Sequence, residues 1–167
     1  MTVRDAVEAD AQAIARIYNQ GIEERTATFE TEPRTAGDIA SLLSDRRGRY
    51  PMVVAEQGGK VIAWAGISPY RARRCYEGVA EVSVYTDRSH RRSGAGRAVM
   101  EELFRQTEGR GFWKLVSRIF PENEPSRALC RSLGFREVGI YRRHARLDGA
   151  WKDCIIVEKL LGKAAVP

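Results

Sequence analysis

Residues 91–97 read Arg91-Arg92-Ser93-Gly94-Ala95-Gly96-Arg97, a glycine turn carrying three guanidinium groups. The run Glu81-Val82-Ser83-Val84-Tyr85 before it alternates like a strand, and Ala98 to Phe104 after it is amphipathic. Strand, turn and helix in that order make an anion site. The first amides of a helix lack intrahelical acceptors and carry the positive end of its dipole. Gly94 and Gly96 remove side chains from the approach, and Arg91, Arg92 and Arg97 add charge, so the pattern suits a polyphosphate. By itself, an arginine-rich glycine turn is also an ordinary turn.

The surrounding elements must position that site. Val3 to Asp5 reads as an opening strand, and Asp10 as the N-cap of a helix whose Ile14, Ile17, Tyr18 and Ile22 share a face. Thr26 to Pro33 breaks the pattern, and Ala36 to Arg46 resumes it. Met52–Glu56 and Val61–Ile67 form a hairpin through Gln57-Gly58-Gly59. A charged loop, Ser68 to Val79, leads to the strand Ala80–Tyr85, on which Glu81 points away from Val82 and Val84. The next helix stops at Gly109 and Gly111, Lys114–Phe120 is a strand, and Pro121 to Pro125 is a loop. Ser126 caps a short helix through Leu133, and the strands Arg136–Tyr141 and Trp151–Leu160 close the chain around Asp148-Gly149. The order β-α-α-β-β-β-α-β-α-β-β predicts a mixed α/β sheet with helices on its faces, in one domain spanning 1–167.

Composition narrows the classes. A chain of 167 residues, 43% hydrophobic and 30% charged, supports one sizeable core. No apolar run is long enough to span a bilayer and Met1-Thr2-Val3-Arg4 is no leader, so a cytoplasmic protein without membrane contact is expected. Cys75, Cys130 and Cys154 are odd in number and widely spaced, which opposes a disulfide framework or a metal site. The net charge of +6 is spread among acidic residues, and no nucleic-acid-reading motif accompanies it. A small anionic ligand accounts for it equally well.

The element order and the turn resemble the GNAT superfamily of N-acetyltransferases. Further matches are Ile17-Tyr18-Asn19-Gln20, Thr28-Phe29-Glu30, Arg49-Tyr50-Pro51, Val79 to Tyr85, Pro121 to Ser126, Leu133-Gly134-Phe135 and Gly149 to Asp153. Together they are similar to the branch that acetylates phosphinothricin, methionine sulfoximine and arsinothricin. Phe112 to Asn123 and Arg127 to Phe135 look most like the arsinothricin group.

The resemblance implies a GNAT fold splayed between the fourth and fifth strands, a homodimer with pockets near its interface, and acetyl-CoA as cosubstrate. Amides from Arg92 to Arg97 would meet the pyrophosphate, the backbone around Val84, Tyr85 and Thr86 would meet the pantetheine arm, and Asn123 with Ser126 would contact the cofactor. Asn123 as loop former and Ser126 as helix cap is the competing reading.

Glu81 occupies the family's general-base position, where a carboxylate takes a proton from the acceptor amine directly or through a water. A solvated strand carboxylate, or an ion pair with a loop arginine, is its other reading. An amide near Val84 would face the charge that develops on the carbonyl oxygen. Arg71 and Arg73 match a family element, and with Arg74 they would bring guanidinium forks to an anionic amino acid, or else lie solvated on the surface. Phe29 and Tyr76 are candidate pocket walls. Cys130 stands where the branch often has His, as an acid for the leaving thiolate or as a packing cysteine. Trp151 and Asp153 are assigned to the last strand, and His90 and His144 to the surface. An amino-acid acceptor is the leading expectation. A protein N-terminus, a polyamine, or a basic nucleic-acid-binding module on the same fold are the alternatives.

Overall fold

Alternation decides how this chain layers. The computed structural model describes residues 1–167. It contains β1 (Thr2–Asp5), α1 (Ala11–Glu24), α2 (Ala36–Arg46), β2 (Met52–Gln57), β3 (Lys60–Pro69), β4 (Val79–Thr86), α3 (Ala95–Gly109), β5 (Lys114–Ile119), α4 (Glu124–Ser132), β6 (Arg136–Leu147) and β7 (Ala150–Leu160). One seven-stranded sheet runs β1-β2-β3-β4-β5-β7-β6. Its β4–β5 pair is parallel and the others are antiparallel.

Because side chains alternate across a strand, the sheet carries two separate apolar sets. Val53, Ala63, Ala65, Ile67, Ala80 and Val82 point to the side covered by Val99, Met100 and Leu103 of α3. Met52, Val54 and Trp64 point to the other side, against Ile14 and Ile17 of α1 and Ile39 of α2. Helices therefore lie on both faces, as the sequence predicted. No helix is long and apolar enough to cross a membrane. All three cysteines are free thiols, and no cluster of potential metal ligands is present.

Several boundaries differ from the sequence reading, each for a local reason. Asp10 stands at the N-cap position of α1 as expected, but its side chain makes no capping bond to that helix, because a 3-10 turn over Glu8–Asp10 already precedes it. Its carboxylate instead accepts from the Val7 amide at 2.9 Å and from Arg4 at 2.7 and 2.9 Å. Ser126 does not cap α4, since Asn123 stands one place before the helix and accepts from the Ser126 amide at 3.3 Å. The strand placed at Arg136–Tyr141 extends to Leu147 through register shifts at Glu137/Gly139 and Tyr141/Ala145, which erased its alternation. At the second shift Arg143 takes φ +47, and its amide donates to Asp153 at 2.7 Å, so Asp153 serves the hairpin.

Candidate active site

The sheet opens where its one parallel pair ends. β4 pairs with β5 only over Val79–Lys114, Ala80–Leu115 and Glu81–Val116, and beyond Glu81 the two strands separate. On its other edge β4 stays paired to β3 through Thr86. The Asp87 amide donates to Ile62 of β3 at 2.8 Å. With a period of two, the backbone groups of Tyr85 and Ser83 also turn to β3, while those of Val82, Val84 and Thr86 turn into the opening. The Ser117 hydroxyl, donating to the Val82 carbonyl at 3.0 Å, marks the start of that gap.

Val84 and Thr86 thus leave strand-edge amides and carbonyls unpaired by β5. Tyr85 is different: its backbone turns to β3, and its ring stacks on Trp64 at 5.0 Å and meets Tyr18 edge-on at 4.9 Å. Burial drives the Tyr85 hydroxyl well above the ordinary tyrosine range, so it stays protonated. Its role is packing beneath α1, where a β-carbon on Gly21 would come within 2.7 Å of its ring.

At one end of the gap lies the glycine turn. Helix α3 begins at Ala95, earlier than the amphipathic run suggested, so Ala95, Gly96 and Arg97 form its first turn. Gly94 precedes it at φ +85, a left-handed conformation that disfavours side chains. Gly96 is needed for a different reason: a β-carbon there would lie 3.1 Å from Thr86 Oγ1 and 3.5 Å from Leu129. The first amides of α3 are therefore brought against the end of β4. Ser93 Oγ accepts from the Ala95 amide at 3.4 Å.

The turn's arginines divide their duties. Arg91 is tied to Glu24 at 2.6 Å, and Arg97 to Glu101 at 3.1 Å and to Ser132 Oγ at 2.7 Å. Arg92, at φ +63, is exposed and makes no ion pair. The expectation that all three aim at phosphates is thus met by a structure in which two brace neighbouring helices.

Sequence reasoning missed the anchor of this turn. Asp87 is buried, and its carboxylate accepts from Ser89 Oγ at 2.5 Å, from the Ser89 amide at 2.9 Å and from Arg16 of α1. Burial pushes the Asp87 carboxyl upward, but the bonds from Ser89 and Arg16 outweigh it and hold the group well below the ordinary carboxylate range. Gln20 adds a bond from the Arg88 amide at 2.9 Å. A one-turn spacing, Arg16 and Gln20 on α1, was the available signal.

At the other end of the gap stands Glu81. It shares a sheet face with Ser83 and with its β3 partner Ser68, the side opposite the valines. Arg118 Nη2 donates to both Glu81 oxygens at 3.1 and 3.2 Å, an ion pair that the sequence reading anticipated from a loop rather than from β5. Arg71, Arg73 and Arg74 all lie exposed in the segment that joins β3 to β4, and so hang at the Glu81 end. Arg71 stacks over Tyr70 at 5.2 Å, and Tyr70 meets Tyr76 edge-on at 5.5 Å. Phe29 meets Phe120 edge-on at 4.9 Å. Phe120, two residues after Arg118 and just past the end of β5, follows the same alternation.

The α4 residues lie against the glycine turn, where Ser132 meets Arg97 at 2.7 Å. Asn123 Nδ2 donates to the Thr26 carbonyl at 3.1 Å, so Asn123 both caps α4 and fastens the loop after α1. Ser126 contributes its amide to that cap. Cys130 is buried in the main core beside Leu129 and Leu133, and burial pushes its thiol up to about 11.

A sheet parted beyond a parallel pair thus has a helix N-terminus at one end of the gap, suited to an anion, and a carboxylate at the other, suited to accept a proton. The chain belongs to the Acetyltransferase (GNAT) family, whose model matches residues 14–135. It is 35% identical over 151 residues to a phosphinothricin N-acetyltransferase of Streptomyces viridochromogenes, covering 90% of this chain and 82% of that one. It is 30% identical over 172 residues to an L-methionine sulfoximine/L-methionine sulfone acetyltransferase of Salmonella typhimurium, covering 100% and 98%. A phosphinothricin acetyltransferase of Sinorhizobium meliloti, solved with acetyl-CoA, superposes with a TM-score of 0.92 at 33% identity over 99% of this chain and 91% of that one. A ribosomal-protein-alanine N-acetyltransferase of Brucella melitensis gives 0.92 at 31% over 96% and 100%.

The protein is accordingly an acetyl-CoA-dependent N-acetyltransferase. The residues present fit that cosubstrate, since bare Gly96 lets the first amides of α3 form a cradle against the end of β4, where a β-carbon would meet Thr86 Oγ1 at 3.1 Å. Acetyl-CoA supplies a thioester-activated acetyl group. The amides of Gly96 and Arg97 would hold its phosphates, and the edge of β4 at Val84 and Thr86 its arm.

Proposed function

We propose that this enzyme acetylates the amino group of a small glutamate-like amino acid, such as phosphinothricin, methionine sulfoximine or arsinothricin, and so confers resistance to it. Glu81 is the general base, taking a proton from the acceptor's ammonium so that a neutral amine attacks. The observation that carries the reading is the pairing of a half-buried Glu81 at the mouth of the gap with exposed Arg71, Arg73 and Arg74 on the adjoining loop. A carboxylate serves the amine, and arginine forks serve a phosphinate or arsonate-like anion. Phe29 and Tyr76 are the pocket's apolar walls.

The same arrangement disfavours a polyamine, which carries only positive charge. A protein N-terminus is the second reading, favoured by the 0.92 superposition on the ribosomal-protein-alanine enzyme. The proposal includes a cytoplasmic homodimer. Its support is the edge strand β6, where Val138, Ile140 and Tyr141 remain exposed.

Thiol release from acetyl-CoA, followed across phosphinothricin, arsinothricin, methionine sulfoximine, spermidine and a ribosomal-protein peptide, tests the reading. Turnover with at least one anionic amino acid and none with spermidine is expected. Turnover with the peptide alone would overturn it.

A further inference from the structure

Arg118 leaves β5 on the face that carries Glu81, and its guanidinium rests on that carboxylate and on nothing else. The pair lies in the open: the Arg118 side chain is 51% exposed and that of Glu81 34%. An ion pair of this kind holds by only about 0–1 kcal/mol and exchanges readily. The neighbouring strand charges are already matched. Lys114 and Arg136 both bind Glu158, which pairs across β5 and β7 with Val116. Ile156, the residue opposite Arg118, is apolar. Arg118 is therefore the one cation of the open face held only by the catalytic carboxylate.

An acceptor must reach Glu81 with an ammonium group, which means displacing the Arg118 guanidinium. In an α-amino acid the ammonium and the carboxylate are attached to one carbon. A carboxylate and a guanidinium already in contact are the complement of that pair, charge for charge. We propose that Arg118 is a specificity-determining residue that binds the α-carboxylate of the acceptor, exchanging its bond to Glu81 for a bond to the substrate. This rests on the amino-acid reading of the site. Arg71, Arg73 and Arg74 are then left for the distal anion, so the two ends of the acceptor are read by different elements. An amine lacking the carboxylate would strip Arg118 from Glu81 and offer its guanidinium nothing in return, which discriminates against it.

The test crosses three enzymes with four acceptors. Initial rates are measured for the wild-type enzyme and for Arg118→Met and Arg118→Lys. The acceptors are phosphinothricin and methionine sulfoximine, each beside its decarboxylated amine. With Arg118→Met, the KM for the amino acids rises roughly 10- to 100-fold, the loss expected for a charge-assisted bond. The acetyl-CoA KM stays level, the kcat/KM for the decarboxylated amines rises because no guanidinium has to be stripped from Glu81, and Arg118→Lys recovers part of the loss. Unfolding temperatures should match, because an exposed pair is removed. An unchanged amino-acid KM in Arg118→Met, or an equal loss with both kinds of acceptor, would overturn the inference. Absence of turnover by the wild type with every amino acid would overturn the amino-acid reading itself, so the two failures are distinct.

Discussion

Glu81 and Val116 are the last residues that pair across β4 and β5, so the candidate base stands at the hinge of the opening. A carboxylate one pair earlier would be flanked by a strand on each side, and one pair later would belong to the gap itself. The position gives Glu81 fixed backbone and a free side chain. Replacing Glu81 with Gln removes the proton acceptor while retaining shape. We expect kcat to fall roughly 100- to 10,000-fold near neutral pH, with an acetyl-CoA KM within about twofold of wild type. Full activity in initial-rate assays would show that another group takes the proton.

Acceptor affinity should depend on the loop that enters β4. Arg73→Ala is expected to raise the KM for an anionic amino acid roughly tenfold or more with little change in kcat. Because Arg73 is exposed and makes no ion pair in the fold, its loss should leave the thermal midpoint unmoved. A kcat defect at unchanged KM would place this arginine at the reacting centre instead.

The layers were legible in the sequence, because alternation in Ala80–Tyr85 and the helical spacing of Val99, Met100 and Leu103 are local signals, whereas the gap between the fourth and fifth strands was implied by the family resemblance alone. Registers are not local. That Arg118 would lie over Glu81 depends on how far β5 slides along β4, and nothing within Lys114–Phe120 encodes that slide. Asp87 escaped notice for a related reason. A lone aspartate after a strand reads as a turn residue, and only the docking of α1 brings Arg16 within reach. Asn123 was marked for the cofactor by resemblance, whereas its cap on Ser126 and its bond to Thr26 are what the fold adds. The helix cap moved from Ser126 to Asn123 because either residue type can cap, and the exit from Pro121 sets the start.

The cradle at the other end of the gap makes a prediction about cosubstrate alone. A β-carbon on Gly96 would press on Thr86 Oγ1 at 3.1 Å, and a branched side chain adds bulk toward Leu129. Gly96→Val should therefore push the start of α3 away from β4 and fill the approach to its amides. Isothermal titration should show acetyl-CoA affinity reduced roughly tenfold or more, because both shape and amide placement change. The KM for the acceptor at saturating acetyl-CoA should hold. Unaltered acetyl-CoA binding would mean that the phosphates are held elsewhere.

The brace behind that cradle should be visible as a pH dependence of stability. The Asp87 carboxylate receives two bonds from Ser89 and one from Arg16, and these keep it ionised well below the usual carboxylate range. A group whose folded-state pKa is depressed contributes stability above its unfolded value, near pH 4, and loses that contribution as pH falls toward the folded one. Asp87→Asn keeps the size but cannot carry the charge. At pH 7 the variant should be less stable by about 1–3 kcal/mol in urea unfolding, the range for a buried charge-assisted bond. Below about pH 4 the wild type protonates in its unfolded state while the variant does not, so the two stabilities should converge. Arg16 is half exposed and returns to water when released, which keeps the loss below that of a fully buried pair. The same variant should also bind acetyl-CoA more weakly, because Asp87 fixes the amide of Ser89 two residues before the arginine turn begins. A stability difference that stays constant from pH 7 to pH 3 would show that shape, and not the charge of Asp87, holds the turn to α1.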